Sequence, residues 1–117
     1  MTHQQPSPAA GTVDPGRQIA QLRHVLVLVR QMAGSEAGGD SDAALDEAAR
    51  VSLAYADALP LHRRRFDRLA AETARWAAAG VEALLAVEER GKTAPAAAAR
   101  LAGELERALS RLSAILA

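Results

Sequence analysis

A chain of 117 residues carrying 14 cations and 14 anions has room for one modest core and no overall field to draw it to nucleic acid or an anionic membrane. It contains no cysteine, which excludes disulfides, thiol catalysis and thiolate metal sites and fits a cytoplasmic setting. Half of the residues are apolar, but many of these are alanine and the only aromatics are Tyr55, Phe66 and Trp76, so the core is expected to be thin in large side chains.

Alanine and leucine mixed with arginine and glutamate, with few β-branched clusters, favour helix throughout. All the cations but Lys92 are arginine, which together with the alanine load points to a GC-rich bacterial genome. No apolar run approaches the roughly 20 residues of a membrane span, and the N-terminus lacks a basic-then-apolar leader pattern.

Residues 1–13, with Pro6, Pro8 and a run of small and polar side chains, offer too little apolar surface to offset the entropy of ordering and are expected to be a disordered tail. Asp14 followed by Pro15 is a cap and first-turn pair that opens a helix over 15–33, with Gly34 behind it. Ile19, Leu22, Leu26, Val29 and Ala33 recur at spacings of three and four, and Val25, Leu28 and Met32 widen the stripe to about half the circumference. Such a stripe predicts two neighbours. The run Val25 to Val29 has strand-like composition, but the chain holds no second strand to pair with it, so it is assigned to the helix.

Ser35 to Ser41 has the composition of a loop. Asp40, Ser41 or Asp42 can cap a second helix over 42–58, whose inward face is Ala44, Ala48, Val51, Tyr55 and Ala58. Leu59 precedes a proline, where the α conformation is disfavoured, so the helix stops or kinks there. A tight hairpin about Pro60 places Tyr55 opposite Phe66 and Leu45 opposite Trp76; a continuous kinked helix is the alternative.

The third helix, over 60–90, is the longest element at roughly 45 Å. It carries Phe66, Leu69, Ala70, Thr73, Trp76, Ala77, Val81, Leu84, Leu85 and Val87 on one broad face, with Gly80 in the middle. A glycine there costs about 1 kcal/mol relative to alanine, which argues for a close approach at that point. Gly91, Lys92 and Thr93 make the next turn, with Thr93 as cap and Pro95 in the first turn of a helix over 94–116. Its seam of Ala98, Leu101, Leu105, Ala108, Leu112 and Ile115, folded back about Gly91, sets Leu101 near Leu84 and Leu112 near Thr73. The expected fold is all-α: an up-and-down antiparallel bundle of about four helices in a single domain over 14–117, with the long helix at its centre and a homodimer as the expected state.

Catalytic and metal-binding patterns are missing. A di-metal bundle needs Glu-x-x-His pairs, and neither His24 nor His62 has an acid three residues before it. No serine sits in a Gly-x-Ser-x-Gly turn, and no glycine-rich phosphate loop occurs. No catalytic residue, metal or cofactor is therefore assigned. His62 reads as a half-buried structural histidine and Trp76 as core.

Arg17 and His24 form an Arg-x6-His spacing that resembles the nuclease motif of HEPN-type domains, which are small helical bundles that often dimerise. The resemblance implies RNA cleavage through this pair. Both side chains lie on the polar face of the first helix two turns apart, where two solvated side chains are the simpler reading, and the activity is not carried over.

A run of arginines opens the third helix: Arg63, Arg64, Arg65 and Arg68, with Arg75 two turns on. Cations in a first turn oppose the helix dipole, so helix stability alone does not select them. Arg64, Arg68 and Arg75 project along one outward stripe that turns acidic at Glu82 and Glu89. It is either a solvated face partly neutralised by Asp57, Asp67 and Glu72, or a docking strip for an acidic partner segment, a nucleic-acid backbone or a second copy. Nucleic acid calls for more cations with aromatics among them, and the three aromatics here point inward.

The expected function is a non-enzymatic protein–protein interaction module: an adaptor, regulator or export-type chaperone, similar in bare architecture to small helical secretion chaperones. The partner-binding candidates are Arg63, Arg64, Arg65, Arg68, Arg75, Val25, Leu28 and Met32. The expected partner is another protein or a second copy, with no metal and no membrane. The alternatives are a HEPN-like RNase and a small nucleic-acid-binding regulator.

Overall fold

The computed structural model describes residues 14–35 and 41–117, and every element among them is helical. The helices are α1 (Pro15–Met32), α2 (Ser41–Asp57), α3 (Pro60–Glu89) and α4 (Pro95–Leu116). The expected tail at 1–13, most of the loop before α2 and the capping candidate Asp40 lie outside the described residues.

Local chemistry accounts for the helix ends. Asp14 is extended, its carboxylate accepts from the Gly16 N–H at 3.0 Å, and Pro15 occupies the first turn where its missing N–H costs nothing. Gly34 and Gly91, with φ of +90° and +76°, turn the chain out of α1 and α3 through the left-handed region that only glycine enters freely. The Ser35 N–H then reaches back to the Arg30 carbonyl at 2.9 Å and the Lys92 N–H to that of Val87 at 3.2 Å.

Between α2 and α3 the helix is interrupted rather than kinked. Leu59 is held extended at φ −66° and ψ 150° because Pro60 follows it. The Arg63 Nε donates to the Ala58 carbonyl at 3.0 Å, satisfying a group that the end of α2 leaves open. At α4 the expected cap is corrected. Thr93 is exposed and Ala94 stands in the cap position with no side-chain bond, because Pro95 at the first helical position pushes residue 94, not 93, out of the helix.

The packing centre differs from the expected one. The longest helix is α3, but α1 and α4 lie at the middle: α1 packs most closely on α2 and α4, and α4 on α3 and α1, while α2 and α3 make the slightest contact of any pair. Tyr55 and Phe66 do meet edge to face, ring centroids 5.7 Å apart, but that corner is where the pairing ends. Leu45 is 68% exposed and does not face Trp76.

The reason lies in what each helix offers α2. Its inward face is mostly alanine, so it must approach closely to bury apolar surface, and α1, whose Ile19, Leu22, Leu26 and Val29 are each 4% exposed or less, is the helix it packs on most. Gly16 makes the approach still closer: a Cβ there would sit 2.4 Å from the Ala48 carbonyl oxygen. The Ser52 hydroxyl donates to Asp14 at 3.1 Å, and the Arg23 guanidinium pairs with Glu47 at 2.9 Å, fastening α2 to α1. Arg30 pairs with Glu106 between α1 and α4.

On the other side α4 doubles back along α3. Leu101 fills the space above Gly80, where an added Cβ would meet its Cδ2 at 2.7 Å. Thr73 is wholly buried in α3 and donates its hydroxyl to the Leu69 carbonyl at 2.7 Å, so no polar atom is stranded there.

Candidate functional site

Because α4 packs against both α1 and α3, those two helices are held apart on its far side. The α3 wall facing α1 is built from Ala70, Ala74, Ala77 and Ala78, side chains too short to close the gap. The result is an open groove of about 410 Å³, walled on α1 by Gln18, Gln21, Leu22, Val25 and Leu28 and on α3 by these alanines with Val81, Glu82 and Leu85.

Its floor is buried and its lips are exposed. Leu22, Ala70 and Ala77 are at most 4% exposed, whereas Leu28 and Leu85 present 39% and 44% of their surface to solvent. Gln18 adds one polar atom: its Oε1 is buried and has no hydrogen-bond partner among the described residues. The sole ionisable side chain in the lining is Glu82. The groove can therefore bind an apolar surface, but it holds no acid–base pair or nucleophile for a reaction.

The partner-binding candidates separate. Val25 and Leu28 line this groove, while Met32 packs against the core. Arg63 is tied to the Ala58 carbonyl, and its guanidinium lies 5.9 Å from the Tyr55 ring centroid. It holds the α2–α3 corner. Arg64, Arg65, Arg68 and Arg75 are exposed and make no ion pair or side-chain hydrogen bond among the described residues.

Asp67, expected to neutralise arginine, instead accepts from the Tyr55 hydroxyl at 3.0 Å. Burial, followed by the bond to and charge of Asp67, raises the Tyr55 pKa above its ordinary value, with Arg63 opposing the shift. Arg17 and His24 stand exposed on α1 with no polar partner among the described residues.

No group of His, Asp and Glu among the described residues is placed to hold a metal ion, and no described helix is long and apolar enough to cross a membrane. On the α3 side, sequence periodicity assigned Leu85 to the inward face and gave no sign of a groove. The available signal was the recurrence of alanine at 70, 74, 77 and 78, which marks where α3 cannot fill its own contact. No protein-family model, curated protein or solved structure matches this chain.

Proposed function

We propose that this protein is a non-enzymatic interaction module, an up-and-down antiparallel bundle of the adaptor, regulator or export-chaperone type, whose α1/α3 groove receives a helix from a protein partner or a second copy. The observation that carries this reading is the groove itself. It is an apolar trough of about 410 Å³ with Leu28 and Leu85 left exposed along its lips. An amphipathic helix seats its apolar face in such a trough with anchors at successive turns. Of the free arginines of α3, Arg75 falls within the length of the groove and Arg64, Arg65 and Arg68 precede it along the helix, which adds a charge pattern through which a partner is chosen and oriented.

Site-specific photo-crosslinking in the native host tests the reading. A photoreactive side chain in place of Leu28 or Leu85 is expected to capture protein, and one in place of the exposed Arg100 on α4 is not. No capture from the groove positions, or equal capture from Arg100, refutes it.

A further inference from the structure

The outer stripe of α3 is polarised. Its exposed residues Arg68, Ala71, Arg75, Ala78, Glu82, Leu85 and Glu89 follow one another at alternating spacings of three and four, so they form a single seam along the helix. The cations occupy its first half and the anions its second. In a parallel pairing of two such seams arginine meets arginine and glutamate meets glutamate. In an antiparallel pairing the charges match, and they match in one register: Arg75 with Glu82 and Arg68 with Glu89 share the same midpoint, between Ala78 and Ala79. Ala71 and Ala86, and the neighbours Ala78 and Ala79, are related by that same midpoint, so small side chains lie near the axis where the helices must approach.

We infer that the occupant of the groove is a second copy of this chain, joined across a two-fold axis through the middle of α3 so that the two α3 helices lie antiparallel. The inference rests on reading the α1/α3 groove as an interaction surface and names its partner. The seam and the groove share Ala78, Glu82 and Leu85. A two-fold axis perpendicular to the paired α3 helices puts both α1 helices on the same side of the pair. The two grooves then open side by side on that face, and the second copy covers the α3 lip of each, at Ala78, Glu82 and Leu85. Every contact is made twice, which is the signature of an isologous interface. Arg75–Glu82 and Arg68–Glu89 lie in the seam itself and match only when the helices run antiparallel, so they fix its direction. Arg64 lies beyond the last acid of the partner seam and takes no part.

Charge reversal on this exposed seam provides the test, with oligomeric state read by sedimentation equilibrium and helix content by circular dichroism. The wild type is expected to be a dimer. Arg68→Glu with Arg75→Glu, and separately Glu82→Arg with Glu89→Arg, are expected to weaken dimerisation at least tenfold while keeping helix content. Mixing these two variants is expected to restore a dimer, now mixed, and the fourfold variant carrying all four reversals is expected to dimerise like the wild type.

A monomeric wild type overturns the inference, as does a dimer that survives either half-reversal or a mixture that stays monomeric. A monomer whose groove positions still capture protein leaves the interaction reading in place. Groove positions that capture nothing remove that reading.

Discussion

Gly16 is the position at which one methyl group tests the packing of α1 on α2. Built as alanine, its Cβ falls 2.4 Å from the Ala48 carbonyl oxygen and 2.5 Å from the Ser52 Oγ. A serine hydroxyl can rotate, but a carbonyl inside a helix cannot, so α2 must move outward by about 1 Å, the kind of overpacking that costs about 1–3 kcal/mol. The same shift stretches the bond from Ser52 to Asp14, whose loss removes about 1 kcal/mol more. Against these stands the intrinsic preference of helix for alanine, at most about 1 kcal/mol.

The net expectation for Gly16→Ala is a loss of about 2 kcal/mol, or roughly 10 °C in Tm for a domain of this size. Two other helical glycines calibrate it. At Gly103 the nearest atom to an added Cβ is the Arg107 Nη1 at 3.6 Å, an ordinary contact, so Gly103→Ala should gain about 0.5–1 kcal/mol. At Gly80 the obstacle is the Leu101 Cδ2 at 2.7 Å, the tip of a side chain that can turn, so strain and propensity should nearly cancel, within about 1 kcal/mol. Urea denaturation followed by circular dichroism at constant m-value orders the three. A Gly16→Ala protein as stable as Gly103→Ala would show that α2 does not lie on α1 as described.

Two smaller effects follow from polar groups. Gln18→Met removes a buried amide oxygen that has no partner among the described residues and keeps the length of the side chain, so it should raise stability by about 1 kcal/mol in the same denaturation series, and a loss would mean the oxygen is satisfied. Tyr55, the single tyrosine, should ionise above its ordinary value of 10.0 when its absorbance is titrated in the folded protein. Because the fold disfavours its anion, its contribution to stability is complete below pH 10 and is lost as pH rises through the raised folded value. Asp67→Asn should lower that midpoint, and an unchanged midpoint would remove Asp67 as a cause.

The helices were legible because their ends are chemical. Asp14 with Pro15, Gly34, Pro60, Gly91 and Pro95 each mark a boundary through a local rule that needs no neighbour. The assembly of the helices was not legible in the same way. Periodicity says which side of a helix is apolar, and α1, α3 and α4 all present broad apolar sides, so the choice of which pair packs most tightly depends on contour. Gly16, which settles where α2 lies, reads in sequence as one more small residue behind a cap. The groove escaped for the related reason that alanine counts as apolar in any periodic reading, yet it occupies too little space to close a gap. The α3 charge stripe was visible from spacing alone, whereas the bond that diverts Asp67 to Tyr55 depends on the α2–α3 corner.

The seat of α2 has a consequence for how the molecule opens. Among its described residues only Val51 is buried, whereas α4 buries seven. Cooperative opening units follow buried side chains, so α2 forms the weakest of them: its release at the Leu59 break gives up the Ser52–Asp14 and Arg23–Glu47 bonds to α1 but leaves the contacts of α4 with α1 and α3. Its amides should exchange with deuterium well before those of α4, from a partly open form in which three helices keep their core. That form uncovers the Ile19 side of α1, opposite in role to the groove. The chain thus holds a second apolar surface in reserve, sheltered by its own least anchored helix.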